Sequence, residues 1–68
     1  MLFDELNKVI MNRYIRVKYG GMRIEGGPGN IAKIFGDKFV VSVEAASHEE
    51  GMLVIVLSDE DPNDNIPF

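Results

Sequence analysis

Six side chains have the types and spacing to hold a nucleic-acid strand: Tyr14, Arg16, Lys18, Arg23, Lys33 and Lys38. Tyr14, Arg16 and Lys18 occupy alternate positions, so an extended strand turns all three to one side. Arg23 falls on the next strand, and Lys33 shares a face with Phe35 on a third. Lys38 follows the turn after that strand. Cations take up phosphates and aromatic rings take up bases, each stacked base contributing about 1–3 kcal/mol. Phe35 and Phe39 are read mainly as core residues.

A second group closes the chain. Asp59, Glu60, Asp61 and Asp64 lead into Ile66-Pro67-Phe68. Phe68 offers a ring and a terminal carboxylate together, a pair suited to an apolar pocket beside an Arg or Lys. Pro67 holds its own φ and biases Ile66 toward extended geometry, which lowers the entropy lost on docking. The acids add a salt-sensitive attraction to any basic rim.

Other constellations fail on their chemistry. Gly26-Gly27-Pro28-Gly29-Asn30 lacks the Gly-Lys-Ser/Thr that completes a phosphate loop. Asp59, Asp61, Asn63 and Asn65 alternate like calcium ligands, but the sixth position is Asp64 instead of Gly and no closing Glu follows. His48 has no second His or Cys, and Ser42, Ser47 and Ser58 have no shared base. No enzyme, cofactor or metal is expected.

The elements that must position these groups follow from periodicity. Leu2, Phe3, Leu6, Val9 and Ile10 recur at helical spacing and predict an amphipathic helix of about three turns. From Arg13 the period is two: Ile15, Val17 and Tyr19 oppose Tyr14, Arg16 and Lys18. Gly20-Gly21 predicts a type I′ hairpin turn, with Met22–Glu25 as the return strand. Residues 26–30 read as a loop, Ile31–Phe35 as a third strand and Gly36-Asp37 as a second tight turn. Lys38–Val43 and Met52–Leu57 read as strands four and five, joined by a polar stretch over 45–51. The fifth is apolar on both faces, so it is either central or covered by a partner subunit. The expected fold is mainly β (α+β): an N-terminal helix, then five antiparallel strands closed into a small SH3-, Sm- or OB-like barrel over 1–58. A flexible acidic tail over 59–68 follows.

Sixty-eight residues allow one domain, and 46% hydrophobic composition excludes a disordered chain. There is no cysteine to form a staple, and small domains of this kind tend to associate, so a homo-oligomer is expected. Residues 1–44 hold all seven Lys and Arg and carry +2, while residues 45–68 hold six acids and carry −6. A basic body with an acidic tail fits contact with a polyanion. Met1-Leu2-Phe3-Asp4-Glu5 does not open like a signal peptide and no apolar run reaches a membrane span, so the expected setting is cytoplasmic, without a membrane partner.

Two family resemblances bear on these readings. Gly21-Met22-Arg23-Ile24-Glu25-Gly26 resembles the second-strand pattern of Sm-like barrels, which implies an RNA-binding ring. The family's Asn is absent where the chain reads Phe35-Gly36-Asp37-Lys38-Phe39-Val40-Val41-Ser42. The acidic run ending in Ile66-Pro67-Phe68 resembles the C-terminal tip of bacterial single-stranded DNA-binding proteins (SSB). That resemblance implies docking onto replication, recombination and repair enzymes. It spans about ten residues, and the acids sit further from Ile66 than is usual in that family. The expectation is a single-stranded DNA-binding protein that recruits such enzymes through its tip. Two alternatives stand beside it: a phage or mobile-element adaptor or inhibitor that copies the tip without binding DNA, and an Sm-like RNA-binding protein.

Overall fold

The computed structural model describes residues 1–11, 14–46 and 51–61. Its elements run α1 (Phe3–Asn7), β1 (Ile15–Tyr19), β2 (Met22–Gly26), α2 (Pro28–Phe35), β3 (Phe39–Ala45) and β4 (Leu53–Ser58). One four-stranded sheet has the order β2-β1-β4-β3, with β1 and β4 parallel and the other two pairings antiparallel. The expected five-stranded antiparallel barrel is therefore corrected to an open mixed sheet with both helices packed on one face.

Two physical reasons account for the difference. Ile31–Phe35 is the second half of α2, not a strand. Pro28 stands at the first helical position, where its fixed φ and missing N–H cost nothing. Ile31 and Phe35, four residues apart, are then both buried on the sheet while Lys33 and Ile34 face water. A stretch as short as Ile31-Ala32-Lys33-Ile34-Phe35, apolar but for Lys33, suits either period, and packing decides it. With that strand gone, Gly36-Asp37 ends a helix instead of turning a hairpin. Nor do the strands meander: β4 inserts between β1 and β3, which is why it is apolar on both faces.

The hairpin is as expected. Gly20 and Gly21 have φ of 53° and 85°, the two positive values a type I′ turn requires. α1 is shorter than its periodicity predicts, ending at Asn7, with Val9 left exposed.

The core lies between the helices and one sheet face. Rows of in-register residues cross the sheet there: Ile24–Val17–Ile55–Val43 and Met22–Tyr19–Leu57–Val40. Phe3, Ile31 and Phe35 close over Ile15, Val17, Ile55 and Leu57. Each such side chain contributes about 1.5–3 kcal/mol by leaving water. Neither helix is long enough to persist alone, so this packing holds them. They meet at Gly36, whose carbonyl accepts from the Asp4 N–H at 3.0 Å. A Cβ added at Gly36 would fall 2.5 Å from the Ala32 carbonyl oxygen and 3.3 Å from the Asp4 Cβ, so the bare backbone permits the approach. Among the described residues, no helix is long and apolar enough to cross a membrane.

Candidate nucleic-acid interface

Among the described residues, no helix lies over the second face of the sheet. Alternation along β1 and β2 places Arg16, Lys18, Arg23 and Glu25 there, beside Val54 and Val56 of β4. Two rows cross this face. One reads Glu25–Arg16–Val54–Glu44 and the other Arg23–Lys18–Val56–Ser42.

The rows differ in charge balance. In the first, Arg16 Nη2 lies 2.7 Å from Glu25 Oε2 and its Nε donates to the same oxygen at 2.9 Å. In the second, Lys18 and Arg23 stand directly opposite each other, and neither has an acidic partner among the described residues. Like charges opposed across a strand pair destabilise the sheet. The two cations flank an open cleft of about 550 Å³ that wraps the end of the hairpin, where Tyr19, Met22, Val56 and Leu57 add apolar surface.

Of the six expected nucleic-acid contacts, the sheet gathers Arg16, Lys18 and Arg23, with Tyr14 exposed just ahead of β1. Lys33 is set apart on α2, in the layer behind the sheet, and does not share a face with buried Phe35. Lys38 is drawn into a contact of its own. Its Nζ donates to Asp59 Oδ1 at 2.7 Å, and the Tyr19 hydroxyl donates to the same oxygen at 2.6 Å. The Tyr19 ring is 5.3 Å from both Lys38 Nζ and the centre of the Phe35 ring.

These bonds tune all three groups. The Lys38 hydrogen bond, then that of Tyr19, holds the Asp59 carboxyl below its ordinary range. The bond to Asp59 is the main cause that raises both Lys38 and Tyr19. Asp59, expected among the partner-binding acids, bonds to Lys38 and Tyr19 of the body. The signal was available: antiparallel pairing of strands four and five sets Phe39 against Ser58 and brings their neighbours Lys38 and Asp59 together. Of the other expected partner-binding residues, the Glu60 N–H donates to Ser58 Oγ at 3.1 Å, and Asp61 is half-buried. Asp64, Ile66, Pro67 and Phe68 lie outside the described residues, as do His48 and Ser47.

Among the described residues, no group of three or more His, Cys, Asp or Glu side chains could hold a metal ion. The chain matches no protein-family model, no curated protein and no solved structure.

Proposed function

We propose that this chain is a non-enzymatic single-stranded DNA-binding protein. The uncovered sheet face takes the strand, with Lys18 and Arg23 on phosphates and Arg16 and Tyr14 alongside. The C-terminal Ile66-Pro67-Phe68 recruits the replication and repair enzymes that recognise SSB tips. The observation that carries the reading is the Lys18–Arg23 pair: two cations held opposite each other, with no acid paired to either among the described residues, beside an open cleft. An arrangement that costs the free protein stability is relieved by an anion. A single strand supplies regularly spaced phosphates together with bases that stack on exposed rings.

Fluorescence anisotropy with labelled oligo-dT tests this. Affinity should fall as salt rises, with a slope of about 0.7 per phosphate contact. The double variant Lys18→Ala/Arg23→Ala should weaken binding and flatten that slope. Binding that ignores either salt or the double variant rules out the assigned face. Absence of binding transfers the function to the tip alone. A strong preference for RNA of the same length would assign the face to RNA.

A further inference from the structure

β2 and β3 are the outer strands of the sheet, and their free edges differ. The start of β3 is already capped: the Val40 N–H donates to the Met1 carbonyl at 2.8 Å, and Leu2 bridges to Phe39. A bulge between Val40 and Ser42 then interrupts its ladder. Caps and bulges are the devices that keep an edge from pairing with another chain. β2 has neither. Its five residues run in unbroken register against β1, with no proline, and their outward backbone groups bond to nothing further among the described residues.

We infer that two copies of this chain join edge to edge through β2, antiparallel about a two-fold axis at Ile24. The result is one continuous sheet of eight strands, twice the four of each copy. Charge selects both the occupant and the register. An axis normal to the sheet keeps the helices of both copies on one side and sets residues equidistant from it against each other. With the axis at Ile24, Arg23 of each copy faces Glu25 of the other, and Met22 faces Gly26. An axis at Arg23 or at Glu25 sets like charges opposite, which is unfavourable. An axis at Met22 or Gly26 slides the strand past its partner onto turn residues. Only the Ile24 register pairs the whole strand with unlike charges opposed.

Glu25 of the second copy gives Arg23 an acid that it does not meet among the described residues of its own chain, while Lys18 stays between Arg23 and Val56. The joined row reads Lys18, Arg23, then Glu25 and Arg16 of the second copy. Each copy contributes three cations and one acid to the open face of its β1 and β2, so the seam stays cationic.

Sedimentation equilibrium without nucleic acid tests the interface apart from any ligand reading. The expected mass is twice the 7.6 kDa of one chain at high concentration. Arg23→Glu, which sets acids against acids across the axis, should give the single-chain mass. Arg23→Glu combined with Glu25→Arg should restore the double mass. Cross-linking gives a second readout, since the chain has no cysteine. Ile24→Cys places two thiols at the axis, where antiparallel partners have Cα atoms about 4.5–5.5 Å apart, within disulfide reach. Met22→Cys leaves them about 13 Å apart along the strand. Ile24→Cys should therefore oxidise to a covalent dimer more than about tenfold faster than Met22→Cys. A single-chain mass for the wild type at every concentration overturns the inference. So does an undiminished dimer in Arg23→Glu, a folded double swap that stays at single-chain mass, or equal cross-linking at the two positions.

Discussion

The same four strands present two unlike faces. Behind the sheet, Ile15, Val17, Ile55 and Leu57 meet Phe3, Ile31 and Phe35, and Phe3, Ile15, Val17 and Ile55 are 0% exposed. In front, the alternate residues of β1 and β2 are Arg16, Lys18, Arg23 and Glu25, around Val54 and Val56 of β4. One face holds the molecule together through area removed from water. The other buries Val54 but includes a charge arrangement that works against cohesion. A two-layer domain this small has one face to spend on stability, which leaves the other available for contact.

The comparison breaks most readily at its covered side. Phe3→Ala should cost about 3–5 kcal/mol, because a fully buried ring is lost and a cavity remains. Against a total of about 5–15 kcal/mol for a typical domain, this should abolish or severely depress the thermal transition followed by circular dichroism. A melt within a few degrees of wild type would mean that α1 does not close the core. At the hairpin end, Gly21→Ala places a side chain at φ 85° and should cost about 1–2 kcal/mol, although nothing lies within 4 Å of the added Cβ. An unchanged melt would mean the turn is not type I′.

At the Lys18–Arg23 pair the open face is expected to respond in the opposite sense. Lys18→Ala removes one of two opposed cations and should leave stability unchanged or raise it by up to about 1 kcal/mol, while weakening oligo-dT binding. Loss of stability in this variant would show that Lys18 serves the fold. Arg16→Ala breaks an ion pair whose side chains are 18% and 36% exposed, so the loss should be under about 1 kcal/mol and should shrink in high salt.

The smallest effect concerns pH. Asp59 is held below its ordinary pKa, so its contribution is complete above about pH 4 and is lost as pH falls through the lowered value. Lys38 and Tyr19 are raised, so theirs is complete below about pH 10 and is lost as pH climbs through the raised values. Comparing wild type with Asp59→Asn across pH should give a difference that is flat between these limits and vanishes at the acid end. A difference that persists in acid would assign the effect to something other than the carboxylate.

Much of the open face was legible in the sequence because it depends on local rules. The alternation from Tyr14 to Tyr19 and the Gly20-Gly21 turn together determine that Arg16, Lys18 and Arg23 share a side and that Glu25 meets Arg16. The apolar run at Met52–Leu57 reads as a strand that is either central or covered by a partner subunit, and β4 stands between β1 and β3. The errors lie where packing overrides local pattern. Ile31, Ala32 and Phe35 make a helical face only once a sheet is present to receive it, and Lys33 was misplaced with them. The pairing of β1 with β4 could not be read from neighbouring strands, since it is chosen by the helix layer that both must support. At the far end, the acids read in sequence as one tail, yet Asp59 is bonded to Lys38 and Tyr19.

The parallel β1–β4 pair has a kinetic consequence. Ile15 and Leu53 sit side by side although more than half the chain separates them. The β1–β2 hairpin needs only its Gly-Gly turn and can close within microseconds. The sheet's middle cannot be completed until β4 arrives and pairs on both sides. Most of the loop-closure entropy is therefore spent in one late step, so folding should be slow for a chain of this length. Until that step the inner edge of β1 stays open to other chains, and substitutions in β4 should slow folding more than those in the hairpin.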